Sequence, residues 1–167
     1  MIDQLFSLLR QWKYKTKPSE MVLSKLYDED SFYTQFAKDL KCAKKEVIIE
    51  SPFISSQRMY SLKPLFESLV ARKIKVYILT RDPQEHDLSM AQQAEKAIRN
   101  FEMLGVQVLI NASYSHRKLA IIDRQILWEG SLNILSQTYS REIMRRIDSQ
   151  AQAEACFKFI HLGKYIY

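Results

Sequence analysis

His116 and Lys118, followed by Asp123, Gly130, Ser131 and Asn133, stand in the run HRKLAIIDRQILWEGSLN with the spacing H-x-K-x4-D-x6-G-S-x-N. These types suit phosphate chemistry. An imidazole can attack or protonate, and an ammonium neutralises a phosphate as a point charge. A hydroxyl and a carboxamide donate hydrogen bonds to its oxygens. Side chains two apart on a strand share a face. His116 and Lys118 therefore project together where the strand LAIID begins, and Ser131 and Asn133 stand in the same relation beyond the next strand. Gly130 suits a tight turn or a close backbone approach. Asp123 lies at the far end of its strand from His116 and reads as scaffold. Glu142, in SREIMRR, has two readings: acceptor for the second imidazole nitrogen, which fixes the tautomer, or partner of Arg145 or Arg146.

The elements that position these residues follow from periodicity. Helical spacing predicts helices over 2–12, 31–43 (capped by Asp30 or Ser31), 59–72, 87–104 (stopped by Gly105) and 149–162. Short apolar runs predict strands at 46–50, 74–80, 106–110, 119–123, 126–129 and 142–147. Strands alternating with helices argue for an α/β layered domain with a mainly parallel sheet. LAII has no polar alternation, as in a central strand covered on both faces. There is no internal repeat or linker. The expected division is an N-terminal helical extension over 1–28 and one domain over 29–167. The extension carries Ile2, Leu5, Phe6, Leu9 and Trp12 before Lys13, Lys15 and Lys17, and reads as a helix packed on the domain or on a partner subunit, with a membrane-surface or nucleic-acid arm as the alternative.

The chain of 167 residues has 25 Lys and Arg against 19 Asp and Glu, a formal net charge of +6. That balance favours a polyanionic partner. Arg58, Lys63, Arg72, Lys73, Arg81, Arg117, Arg141 and Arg145 are candidates to track a phosphate backbone. Cys42 and Cys156 form no disulfide framework and read as small core residues. No apolar run reaches the length of a bilayer span, and the N-terminus is a poor signal peptide because its positive charges follow the apolar stretch. The expectation is a cytoplasmic protein with no stable membrane insertion.

The six positions His116, Lys118, Asp123, Gly130, Ser131 and Asn133 resemble the HKD signature of the phospholipase D superfamily, matched without a gap. The likeness spans 116–133 and extends over 134–146. The strand and Ser-Pro-Phe at 46–55 look like the superfamily's opening strand, and residues 1–30 show no such likeness. The resemblance implies a layered α/β/α sandwich around a mixed, mainly parallel sheet. It implies that His116 attacks phosphorus to give a phosphohistidine while Lys118 and Asn133 hold the non-bridging oxygens. Ser131 and Glu142 would support them, with Asp123 and Gly130 structural. Neither a metal nor another cofactor is required.

A site of this superfamily uses two such motifs, one histidine as nucleophile and the other as general acid. This chain holds one, and neither His86 nor His161 has a following x-Lys. The resemblance therefore implies a homodimer with one site across its two-fold axis. The SLNILS…REIM context resembles nuclease-type domains associated with DNA helicases and repair systems more than lipases. The leading expectation is a nuclease acting on DNA ahead of RNA, with a helicase or repair system as candidate partner. Two alternatives stay open: a phospholipid hydrolase or transferase, and a non-catalytic nucleic-acid-binding module.

Overall fold

The uninterrupted apolar runs VII, VYIL and LAII become the centre of one seven-stranded sheet. The computed structural model describes residues 22–85, 87–111, 114–136, 139–164 and 166. The order is β1 (Leu23–Asp28), α1 (Glu29–Cys42), β2 (Glu46–Glu50), α2 (Ser56–Ala71), β3 (Lys75–Arg81), α3 (Leu88–Met103), β4 (Gln107–Asn111), β5 (Leu119–Ile122), β6 (Ile126–Gly130), β7 (Ile143–Asp148) and α4 (Gln150–Phe159). The helix expected over 2–12 lies outside the described residues.

Although these central strands are buried on both sides, their alternation still sorts two cores. Val47, Ile49, Val76, Ile78, Ala120 and Ile122 join the core that holds the inner faces of α1, α2 and α3. Ile48, Tyr77, Leu79, Leu119 and Ile121 join the core under α4 with Ala153 and Phe157. Each Val, Ile, Leu or Phe among them, fully buried, contributes about 1.5–3 kcal/mol. The result is the expected α/β/α sandwich.

The strand order is β1-β7-β6-β5-β2-β3-β4. The sheet is mixed as expected, with a smaller parallel share. Only β2–β3 and β3–β4 pair in parallel, and the β2–β5, β5–β6, β6–β7 and β7–β1 pairs are antiparallel. Parallel neighbours need a crossover helix. α2 and α3 supply two of these, whereas the strands from β5 to β7 follow one another without a helix.

The sheet begins earlier than the expected boundary at residue 29. Leu23–Asp28 forms the edge strand β1, in register with β7 from Leu23↔Asp148 to Asp28↔Ile143. Five of its six residues are exposed, so it carries no burial pattern for sequence reading to detect. Asp28 then caps α1. Its carboxylate accepts from the Ser31 N–H at 2.9 Å, and the Asp28 N–H donates to Ser31 Oγ at 3.2 Å. This reciprocal capping box shifts the cap from the expected Asp30 or Ser31. Phe32, Phe36 and Leu40 are buried along α1, where both phenyl rings meet Trp128 edge-on. The buried Asp39 accepts from Trp128 Nε1 at 2.9 Å and Arg146 Nε at 2.8 Å, tying α1 to β6 and β7.

Cys42 is exposed at the end of α1, against the expectation of a core position, because the inner face of that helix is filled by Phe32, Phe36 and Leu40. Cys156 is half-buried beside the α4 core, and burial pushes its thiol up to about 11.

Candidate active site

Residues 114–118 lead into β5, and the side chains of 115–118 divide by parity. Ser115 and Arg117 turn to one side and meet Glu50, the last residue of β2, while His116 and Lys118 meet each other on the other. Glu50 is 2% exposed. Ser115 Oγ donates to its Oε1 at 2.5 Å, Arg117 Nε donates to Oε2 at 3.0 Å, and Arg117 Nη2 lies 2.9 Å from Oε1. One buried carboxylate thus grips both neighbours of His116. Sequence reading missed Glu50. The available signal was an acid ending an otherwise apolar central strand, where an unpartnered carboxylate is costly and therefore points to a cation.

Lys118 is 8% exposed. Its Nζ lies 2.9 Å from His116 Nδ1 and 3.3 Å from Nε2, and donates to the His116 carbonyl at 2.7 Å. An ammonium only donates, so in this contact the imidazole offers a lone pair. Burial pushes the Lys118 ammonium below the ordinary lysine range, and the Glu142 carboxylate partly offsets this. Phe53 stands edge-on to the imidazole, centroids 6.1 Å apart at 84°.

The second half of the motif follows β6. At Gly130 the β7 backbone leaves no room for a side chain. A Cβ there would lie 2.1 Å from the Ile143 carbonyl oxygen and 2.9 Å from Met144 Cα. Ser131 extends that pairing. Its N–H donates to the Ile143 carbonyl at 2.9 Å, and its Oγ accepts from the Ile143 N–H at 3.1 Å. A hydroxyl that accepts in this way retains its own hydrogen for another acceptor. Asn133 is half-buried, and its Oδ1 is shielded from solvent with no hydrogen-bond partner among the described residues. It lines a cleft of about 320 Å³ with Phe53, Ile54, Ser55, Met90, Gln93, Ala94 and Ser136. Its loop is pinned by Leu135 N–H to Ser51 Oγ, Ser55 N–H to the Leu135 carbonyl and Tyr33 Oη to the Ile134 carbonyl.

Glu142 accepts from Ser140 Oγ at 2.6 Å, and its N–H donates to Glu29 Oε2 at 2.9 Å. Its charge is felt at Lys118. Arg146, one of its candidate partners, pairs instead with Asp39 and Asp148. Asp123 lies at the other end of β5 from this cluster. Its carboxylate accepts from the N–H groups of Lys44, Lys45 and Glu46 at 2.7–3.0 Å, fixing the start of β2 from a left-handed turn position (φ 53°).

Of the candidate backbone-tracking cations, Arg58 stacks on the Tyr33 ring at 3.8 Å. Arg72 donates to the carbonyls of Leu40, Lys41 and Ala43. Arg81 pairs with Glu85 and Arg117 with Glu50. His161 is exposed, and His86 lies outside the described residues. Among the described residues no three His, Cys, Asp or Glu side chains gather as a metal-ligand set, and no helix is long and apolar enough to cross a membrane.

One chain therefore brings an imidazole against a desolvated ammonium, and Phe53, edge-on to that imidazole, also lines the open cleft that Asn133 lines. Such a set can receive one phosphate group. It provides one imidazole where an in-line displacement needs a nucleophile on one side of phosphorus and a proton donor on the other.

Comparison with known proteins gives the following. Residues 36–160 match the family model described as "Cardiolipin synthase, PLD-like domain". No curated protein matches the sequence. Among solved structures, Nuc of Salmonella typhimurium, a phospholipase D family member, superposes with a TM-score of 0.67 at 15% identity, covering 83% of this chain and 91% of that one. NucT from Helicobacter pylori superposes at 0.64 and 16% identity, covering 83% and 92%. The phosphatidylserine synthase of Haemophilus influenzae Rd KW20 superposes at 0.64 and 15% identity, covering 84% of this chain but 38% of that one.

Proposed function

The chain belongs to the phospholipase D-like family, and we propose that within it the protein is a metal-independent nuclease, cleaving DNA in preference to RNA at a site shared by two copies of the chain. The observation that carries this reading is the buried Lys118 ammonium against His116, with no acid among the described residues hydrogen-bonded to it. A desolvated cation in such a place is stabilised when a phosphate arrives. The net charge of +6 favours a polyanion as the source of that phosphate.

His116 attacks phosphorus, forming an N–P bond as the bond to the leaving oxygen breaks. That oxygen takes a proton from His116 of the partner subunit. Water then attacks phosphorus, gives a proton back to the same imidazole and releases the first histidine and a phosphomonoester. Lys118 and Asn133 hold the non-bridging oxygens throughout. Ser131 and Glu142 support this set, Ser131 through the β6–β7 pairing and Glu142 through its charge near Lys118. Nuc and NucT match this chain over nine-tenths of their length, the relation expected of single-domain proteins. A helicase or repair system that delivers DNA to the site is the candidate partner.

A second reading, cleavage or transfer at a phospholipid phosphodiester, is favoured by the family description and by the apolar walls of the cleft at Phe53, Ile54 and Met90. One assay separates the two. Labelled single- and double-stranded DNA, RNA and a phospholipid are incubated with the protein in excess EDTA. Nucleic-acid cleavage that vanishes in His116→Ala supports the nuclease. Cleavage of the phospholipid alone transfers the reading to the lipid, and a requirement for added Mg²⁺ sinks the mechanism.

A further inference from the structure

We propose that Tyr114 is a stacking platform for an unpaired nucleobase beside the scissile phosphate, so that the preferred substrate is single-stranded nucleic acid; this rests on the nuclease reading above. Tyr114 is 77% exposed, and among the described residues no contact buries it. Yet its ring is braced. The Arg81 guanidinium lies 4.5 Å from its centroid and 5.8 Å from that of Phe53. Arg81 is itself fixed by Glu85, Nε to Oε2 at 2.9 Å. Phe53 in turn meets the His116 imidazole edge-on. A fixed arginine thus holds one flat aromatic surface in place on the rim of the site.

Its position fits one nucleotide. Tyr114 shares Arg81 with Phe53, and Phe53 meets the His116 imidazole, so the ring stands two contacts away from the attacking imidazole. Two residues of extended chain span at most about 7 Å, so the backbones of Tyr114 and His116 lie within reach of adjacent nucleotides. Every base has a π-face, and stacking on an aromatic ring is tolerant of sequence. In a duplex those faces are covered by neighbouring base pairs, so the platform is usable only by an unpaired strand. An acyl chain has no flat face to match it.

The test compares three substrates of equal length in EDTA: a single-stranded oligonucleotide, the same sequence as a duplex, and a strand carrying abasic sugars around the cleavage position. The expected result is a higher kcat/KM for the single strand than for the duplex. In Tyr114→Ala the ratio of base-bearing to abasic cleavage falls about tenfold, and Tyr114→Trp restores it. Fluorescence anisotropy of the single strand on a His116→Ala background should show the same loss in Tyr114→Ala without turnover. An unchanged ratio overturns the proposal while leaving the nuclease reading intact. So does equal loss on both strands, or a Tyr114→Ala protein whose only defect is a weakened dimer in sedimentation, which would assign the ring to the partner subunit. If no oligonucleotide is cleaved or bound, both readings fall together.

Discussion

Replacing Glu50 by glutamine keeps the volume of the side chain and one acceptor oxygen, and turns the other oxygen into a donor facing donors. The carboxylate receives Ser115 Oγ and two nitrogens of Arg117. A hydrogen bond to a charged group contributes about 1.5–3 kcal/mol, and breaking a fully buried ion pair costs about 3–5 kcal/mol. The full penalty does not apply, because the Arg117 side chain is 44% exposed and can rehydrate. A loss of about 2 kcal/mol in unfolding free energy follows, and a Glu50→Gln, Arg117→Gln double-mutant cycle should show coupling of about 1–2 kcal/mol. The larger consequence is catalytic. Freed from the clamp, residues 115–117 shift His116, and a displacement of about 1 Å costs on the order of a hundredfold in rate. Urea unfolding gives the first quantity. Single-turnover cleavage well below the melting temperature gives the second, with oligonucleotide affinity measured separately. A Glu50→Gln protein that loses stability yet retains its single-turnover rate would refute the claim that Glu50 positions His116.

Gly130→Ala places a Cβ into the Ile143 carbonyl and against Met144 Cα, so it should destabilise by about 3 kcal/mol, the upper range for overpacking. Gly163→Ala, whose Cβ among the described residues meets Phe157 at 3.7 Å, should stay within about 0.5 kcal/mol in the same unfolding assay. Since burial lowers the Lys118 pKa, kcat/KM should fall at a pH below the ordinary lysine range, and Lys118→Arg, permanently charged, should lose that alkaline limb even at a lower overall rate. The sign for stability is the reverse. Between the depressed and the ordinary pKa the unfolded chain binds more protons, so stability should rise with pH there, and Lys118→Met should flatten that rise in unfolding measured against pH.

The sequence exposed the parts of the molecule that obey simple periodicity. LAII, EVIIE and KVYIL were legible as buried strands because their central residues are apolar on both faces, and the His116–Lys118 contact was legible because the two stand two residues apart. The parallel share was overread. Helices alternate with strands only as far as β4, after which β5, β6 and β7 follow without crossovers. β1 was invisible because it is an exposed edge whose pairing comes from the β7 backbone rather than from its own side chains. Glu50 showed only as an acid closing an apolar strand, a sign of some cation partner but not of which one. Its role depends on β2 and β5 lying side by side, with Glu50 opposite Leu119, a contact across more than sixty residues that no local pattern encodes.

The central claim is that two copies of the chain make one site from two His116 residues. Its most direct test is a purified heterodimer with one wild-type and one His116→Ala subunit, held together by different affinity tags and assayed on oligonucleotide in EDTA. A shared site needs one imidazole as nucleophile and the other as acid, so the heterodimer should be as inactive as the homodimer lacking both, within about tenfold. Half the wild-type activity, the signature of two independent sites, would contradict the account.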